Sequence, residues 1–135
     1  MKLNKTKVSL IILLVYVGAL LCVTLLARES VGKQMIQTNW FWGYMVDNPK
    51  ILYGDNILNI LLYLPIGGLV ALISPKHKWI AAMLVGLFLS ETIECSQLIW
   101  QKGIFDVDDI FNNTLGSLLG GLAALMIMRL RNRRQ

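Results

Sequence analysis

Residues 8–26, 56–73, 79–100 and 110–128 are long, nearly unbroken apolar stretches, and the polar positions gather between them and at their ends. A run of 19 residues such as 8–26, wound as a helix with ~1.5 Å rise per residue, reaches about 28 Å, close to the ~30 Å hydrocarbon core of a bilayer. The pattern predicts an all-α protein: one integral membrane domain over residues 1–135, built as a bundle of four transmembrane helices. The first stretch exceeds the ~7–15 apolar residues of a cleaved leader, and no A-x-A pattern follows it, so it is expected to be a permanent helix.

Composition narrows the class. Hydrophobic residues make up 56% of the chain and charged residues 16%, against ~45–50% and ~25% in an average soluble domain. A soluble enzyme, a disordered chain and a disulfide-stapled secreted domain are all excluded by that balance. The net charge of +5 lies at the span ends rather than in a nucleic-acid-binding patch, so no nucleic-acid partner is expected. Cys22 and Cys95 fall within predicted spans, where thiols behave as small hydrophobes. His77 is the sole histidine. No zinc spacing is present, and no metal or other cofactor is expected.

Basic residues set the expected orientation. The N-terminal segment, the loop 74–78 and the C-terminal tail hold Lys2, Lys5, Lys7, Lys76, Lys78, Arg129, Arg131, Arg133 and Arg134, nine in all, whereas the other side holds four, Arg28, Lys33, Lys50 and Lys102. The excess places both termini in the cytoplasm. The carboxylates agree, since Glu29, Asp47, Asp55, Asp106, Asp108 and Asp109 share the outer side and Glu91 and Glu94 lie in the outward half of the third span. Outer loop 27–55 carries Trp40, Phe41, Trp42, Tyr44 and Tyr53. It reads as an interfacial segment at headgroup level, or as an aromatic wall over an outward site.

Three polar stripes approach one depth. On the fourth helix, Asp106, Asp109, Asn113, Gly116 and Gly120 are spaced as one face, with small residues at its deeper end that allow close helix approach. Asp109 alone reads equally as an N-cap. On the second helix, Asn56, Asn59, Tyr63, Gly67 and Val70 share a face, and Pro65 removes a backbone hydrogen bond and is expected to kink the span. On the third, Gly86, Ser90, Glu94, Gln97 and Gln101 run from small to polar, with Glu91 beside them. An ionised carboxylate near the centre of a span costs at least ~2.5 kcal/mol, so Glu94, with no cation beside it on its own stripe, is cheapest as the neutral acid. Glu91 could instead snorkel to the interface. Chain direction puts all three polar ends on the outer side, which predicts an outward-facing polar pocket within the bundle.

The residues also resemble a known family. Asn59 with Pro65 and Gly67 (N-I-L-L-Y-L-P-I-G), Glu94 with Gln97 (E-C-S-Q), and residues 103–120 (G-I-F-D-V-D-D-I-F-N-N-T-L-G-S-L-L-G) resemble the VanZ-like bacterial membrane proteins, in order and spacing. The similarity covers residues 55–130, and the first helix and aromatic loop add little. Many relatives carry an arginine shortly before F-D-x-D-D. Here the basic residue is Lys102, which supplies the charge without a bidentate fork. The resemblance implies a multi-pass cell-membrane protein of a bacterium with an exposed peptidoglycan wall, associated with lowered susceptibility to glycopeptides, teicoplanin especially.

Three functions fit. A pocket of Asn59, Glu91, Glu94, Gln97, Lys102, Asp106, Asp109 and Asn113 suits an amine-bearing or hydroxyl-rich headgroup, such as a lipid-linked wall precursor or a lipid-tailed glycopeptide, with membrane lipids around it. Alternatively, paired carboxylates could act as general acid and base, or hold a divalent cation, in a membrane-embedded enzyme. Against that stand the lack of a pocket histidine and of a Ser or Cys nucleophile with a base. A transporter would need oligomerisation, which the small helix faces permit, and no inverted repeat is visible. Pro65, Gly67, Gly116 and Gly120 are expected to serve helix packing.

Overall fold

The computed structural model describes residues 4–38 and 49–134, with side chains of the second block described from Asn56 onward. Helix α1 (Lys5–Leu21) continues into a π-helical turn (Cys22–Leu26). A two-residue strand β1 (Ile36–Gln37) follows, then α2 (Pro49–Ile73), α3 (Lys78–Trp100), a second short strand β2 (Phe105–Asp106) and α4 (Val107–Asn132). Four helices among the described residues are long and apolar enough to cross a membrane: Lys5–Leu26, Asn56–Ile73, Lys78–Trp100 and Val107–Asn132. The chain is therefore a four-helix, multi-pass membrane protein. The aromatic residues Trp40, Phe41, Trp42 and Tyr44 and the side chain of Tyr53 lie outside the described residues.

Local chemistry explains the helix ends. Asn4 caps α1 by accepting the Thr6 N–H at 3.3 Å. Asp106 caps α4 through the Asp108 N–H at 2.9 Å, which satisfies one of the free donors of the first turn. The cap is thus Asp106, one turn before Asp109. The turn between α2 and α3 is closed by Lys78, whose ammonium donates to the Ala71 carbonyl at 3.0 Å and to the Ser74 carbonyl, a cation placed where the α2 macrodipole is negative. His77 enters α3 with φ 47° and Gln101 leaves it with φ 54°. Helix α2 continues through Pro65. That residue has no N–H for the Leu61 carbonyl, and the Tyr16 hydroxyl of α1 donates to the next carbonyl, Leu62, at 2.9 Å.

Helix α4 is the centre of the bundle. It packs most extensively on α2 and next on α3, whereas α1 lies against α2 at the periphery. Two small-residue stripes, offset by one position and so by ~100° around the helix, make this possible. Toward α2, a Cβ on Gly116 or Gly120 would strike the backbone of Ile60 or of Leu64 and Gly68, and one on Gly67 would strike the Ser117 backbone. Toward α3, Ser117 and Gly121 face Gly86 and Ala82, and the Ser117 hydroxyl donates to the Ala82 carbonyl at 2.6 Å. Lipid tails are as apolar as leucine, so close van der Waals approach and interhelical hydrogen bonds, rather than hydrophobic burial, hold such a bundle together.

The outer surface is correspondingly apolar. Leu14, Val15, Val23, Leu61, Phe88, Ile99 and Met126 are exposed, as expected for side chains that face hydrocarbon. Both cysteines are free and lie on this surface. Surface hydroxyls bond to their own helix: Thr92 to the Phe88 carbonyl at 2.6 Å, Ser96 to Thr92 at 2.7 Å and Thr114 to Ile110 at 2.7 Å, which removes unsatisfied donors from an apolar surround.

Candidate functional site

Polar side chains that fall at one end of α2, α3 and α4 meet inside the bundle. From α4, the first turn supplies Asp108 and Asp109, and the second Asn112 and Asn113. They do not share one face. The Asn59 amide of α2 donates to Asp109 Oδ1 at 2.6 Å, and the Asn112 amide donates to Asn56 of α2. Asn113 turns to α3 instead and donates to Ser90 Oγ at 2.8 Å. The expected single stripe of Asp106, Asp109, Asn113, Gly116 and Gly120 is therefore split between two neighbours. Residues 113 and 117 follow the α3 interface, and 109, 112, 116 and 120 follow the α2 interface.

Glu94 of α3 is 3% exposed. Its Oε2 accepts the Asp106 backbone N–H at 2.9 Å, so it holds the strand that leads into α4. Gln97, 2% exposed, bridges to the first helix. Its amide nitrogen donates to the Thr24 carbonyl at 3.4 Å, and its Oε1 accepts from Arg28 at 3.1 Å. The π-helical turn prepares this contact: its five-residue bond, Ala27 N–H to the Cys22 carbonyl at 3.0 Å, interrupts the regular ladder next to Thr24. Such turns recur at functional sites.

Arg28 is the residue that sequence reading missed. It lies far from the polar stripes in the chain, and only the fold brings it beside Gln97 and into electrostatic reach of Glu94. Arg28 thus brings a positive charge into the neighbourhood of Glu94, while its hydrogen bond goes to Gln97. Gly103 makes room for the arrangement, since a Cβ there would lie 2.7 Å from Gln97 Oε1 and 2.9 Å from the Arg28 guanidinium. Lys102, half-buried, enters through its backbone, with its N–H donating to the Gln97 carbonyl at 2.9 Å.

Residues 30–37 lie across this end of the bundle. The Val31 N–H and the Ser30 hydroxyl donate to the Gln101 carbonyl at 2.7 and 3.3 Å, and the Phe105 N–H donates to Met35 at 2.9 Å. The parallel pairing of Ile36 with Phe105 and of Gln37 with Asp106 completes the strap. No strand was expected in an all-helical chain. Its physical cause is the free backbone edge of the segment before α4.

Of the expected site residues, Asn59, Glu94, Gln97, Asp106, Asp109 and Asn113 come together, with Lys102 at the margin. Glu91 is exposed on α3 and stands outside the cluster. The structure adds Arg28, Asn56, Tyr63, Ser90, Asp108 and Asn112. The cluster is densely bonded, yet among the described residues one buried atom, Asn113 Oδ1, lacks a hydrogen-bond partner. Tyr63 is surrounded by Ser90, Glu94 and Asp109. Among the described residues no three His, Cys, Asp or Glu side chains group as metal ligands.

Asp106 lies just outside the α4 span. Burial raises its carboxyl above the usual range, the hydrogen bond from the Asp108 N–H lowers it, and the Asp108 charge raises it again. A carboxyl raised in the folded state binds its proton more tightly there than in the unfolded chain, so its contribution to stability declines as pH rises through that window. Asn caps a helix as well as Asp. Asp106→Asn is therefore expected to leave thermal stability at neutral pH unchanged or slightly higher and to flatten its decline between acid and neutral pH. A large loss of stability in detergent at neutral pH would show that the charge, rather than the cap, is needed.

The fold defines a class: a small multi-pass membrane protein with a buried polar cluster between its helices. The chain belongs to the VanZ/LLP1 family, whose model matches residues 13–129. The match begins within α1, so the first helix belongs to the family's common domain, contrary to the expectation that it adds little. No curated protein and no solved structure matches the chain.

Proposed function

We propose that the protein is a binding protein of the outer membrane leaflet whose polar cluster takes the headgroup of a lipid-linked wall precursor or a lipid-tailed glycopeptide, and so lowers glycopeptide susceptibility. Membership of the VanZ/LLP1 family supports the link to glycopeptides. The carrying observation is buried Asn113 Oδ1, which lacks a hydrogen-bond partner among the described residues. A buried polar group without a partner costs about 1–3 kcal/mol. An ammonium or hydroxyl of a ligand can donate to Asn113 Oδ1, which removes that cost. The carboxylates of Glu94 and Asp109 favour a cationic amine over an anionic group. The first part of the outer loop already crosses this end, so a headgroup would enter beneath residues 30–37 while its tail lies along the exposed helix surfaces.

This reading puts both termini in the cytoplasm, by the distribution of basic residues. Reporter fusions after Gln135 are expected on the cytoplasmic side, and reporters inserted within residues 33–50 on the outside. Same-side signals would overturn the outward placement of the cluster. The direct test is native mass spectrometry of the full chain purified from cells with an intact wall, with and without EDTA. Retention of a wall precursor or an added lipoglycopeptide, lost in Asn113→Ala, is the expected result. Chemical turnover of the bound molecule, abolished by EDTA, would replace this reading with the enzymatic one.

A further inference from the structure

The opposite end of the bundle, where α1 starts and α4 ends, holds a cleft of about 620 Å³ between α1, α2 and α4, within the ~300–1,000 Å³ typical of ligand sites. Its polar wall is made by Lys5, Thr6 and Ser9 of α1 and by Arg131 and Asn132 of α4. Val8, Leu72 and Met128 make its apolar wall. Two cations, two hydroxyls and an amide therefore face an apolar surface across one space, at the depth where a helix end meets the headgroup layer.

The charge around it is one-sided. The stretches that build this end, residues 1–28, 56–90 and 110–135, contain no Asp or Glu, so no acidic side chain there is available to pair with Lys5 or Arg131. All three polar types in the wall can donate to phosphate oxygens, and the apolar wall continues onto exposed Val8 and Leu72, which face hydrocarbon. A soluble anion would use the cations alone. A phospholipid uses both walls.

We propose that this cleft is a binding site for one anionic glycerophospholipid, with its phosphate on Lys5 and Arg131, its glycerol hydroxyls on Thr6, Ser9 or Asn132, and an acyl chain on Leu72 and Met128. Basic pockets between transmembrane helices bind anionic headgroups in this way. The site is remote from the polar cluster and does not depend on the function proposed for it.

The test is titration of the detergent-purified full chain with dioctanoyl-phosphatidylglycerol, dioctanoyl-phosphatidylcholine and glycerol 3-phosphate, read as adducts in native mass spectrometry and as the shift in thermal unfolding. Phosphatidylglycerol is expected to give one adduct per chain and a raised midpoint, with phosphatidylcholine at least about tenfold weaker. Glycerol 3-phosphate binding as tightly as phosphatidylglycerol would make this a free-phosphate site and overturn the lipid assignment. The double variant Lys5→Gln/Arg131→Gln should lose about tenfold or more in phosphatidylglycerol affinity. Arg133→Gln/Arg134→Gln removes the same charge from outside the cleft and should retain binding. Equal loss in both doubles would reduce the effect to general surface attraction and overturn the site. Leu72→Trp fills the cleft without changing charge, and unchanged phosphatidylglycerol binding in that variant would likewise overturn it.

Discussion

Gly120→Leu is expected to abolish the folded bundle. A Cβ at position 120 would collide with the Leu64 carbonyl and crowd the Gly68 nitrogen, both backbone atoms of α2 that cannot rotate away. Gly116 stands against the Ile60 backbone in the same way. Inserting carbon atoms into a packed interior costs about 1–3 kcal/mol even when side chains can adjust. Here a whole helix must move, and the Asn59–Asp109 and Asn112–Asn56 bonds are anchored on the same pair of helices. Gly120→Ala is therefore expected to lower the thermal midpoint in detergent, and Gly120→Leu or Gly116→Leu to remove the protein from the membrane fraction. Gly18 is the internal control. A Cβ there has nothing within 4 Å, so Gly18→Leu should express and melt like the parent. Normal stability of both Gly116→Leu and Gly120→Leu would mean that α2 and α4 are not in backbone contact.

Glu94→Gln is expected to abolish function while leaving the fold intact. The amide keeps an oxygen to accept the Asp106 N–H and preserves side-chain volume; it removes only ionisation. What disappears is the capacity to ionise near Arg28 and any proton exchange at this position. If the cluster receives a cationic headgroup, cells expressing Glu94→Gln at matched membrane levels should be as susceptible to a lipid-tailed glycopeptide as cells without the protein, while the purified variant melts normally. Protection equal to the parent would remove Glu94 from the functional set and leave Asp109 and Asn113 as the candidates. A lowered midpoint together with lost function would instead assign Glu94 to holding the start of α4.

Several parts of this arrangement were legible in the chain because they depend on local periodicity. Apolar runs long enough to cross a bilayer appear in any reading of hydropathy, since the membrane imposes both length and composition on a span. The glycines at 116 and 120, four residues apart, declare a close approach, whereas the cap of α4, expected at Asp109, lies at Asp106. Asn59, Glu94 and Asp109 stand out because polar groups inside a span are costly and so require partners.

Other parts depend on which helix faces which. The polar positions of α4 have helical spacing, but a spacing of three or four drifts around the axis and cannot say where one neighbour ends and the next begins. That division was decided by α4 lying between α2 and α3, which sends Asp109 to Asn59 and Asn113 to Ser90. Ser117 and Gly121, one position beyond the glycine stripe, acquired their role from the same placement. Glu94 stands on the polar stripe of α3 and Glu91 beside it, and helix rotation buries the first and exposes the second.

By itself the sequence determined the four spans and the small-residue contact of α4, because each follows from solvent and helix period. Tertiary structure alone decided the pairing of Arg28 with Gln97, 69 positions away, the strap of residues 30–37 and the burial of Asn113 Oδ1 without a partner among the described residues. Those features rest on contacts between segments remote in the chain, and their geometry is set by how closely small side chains let the helix backbones approach.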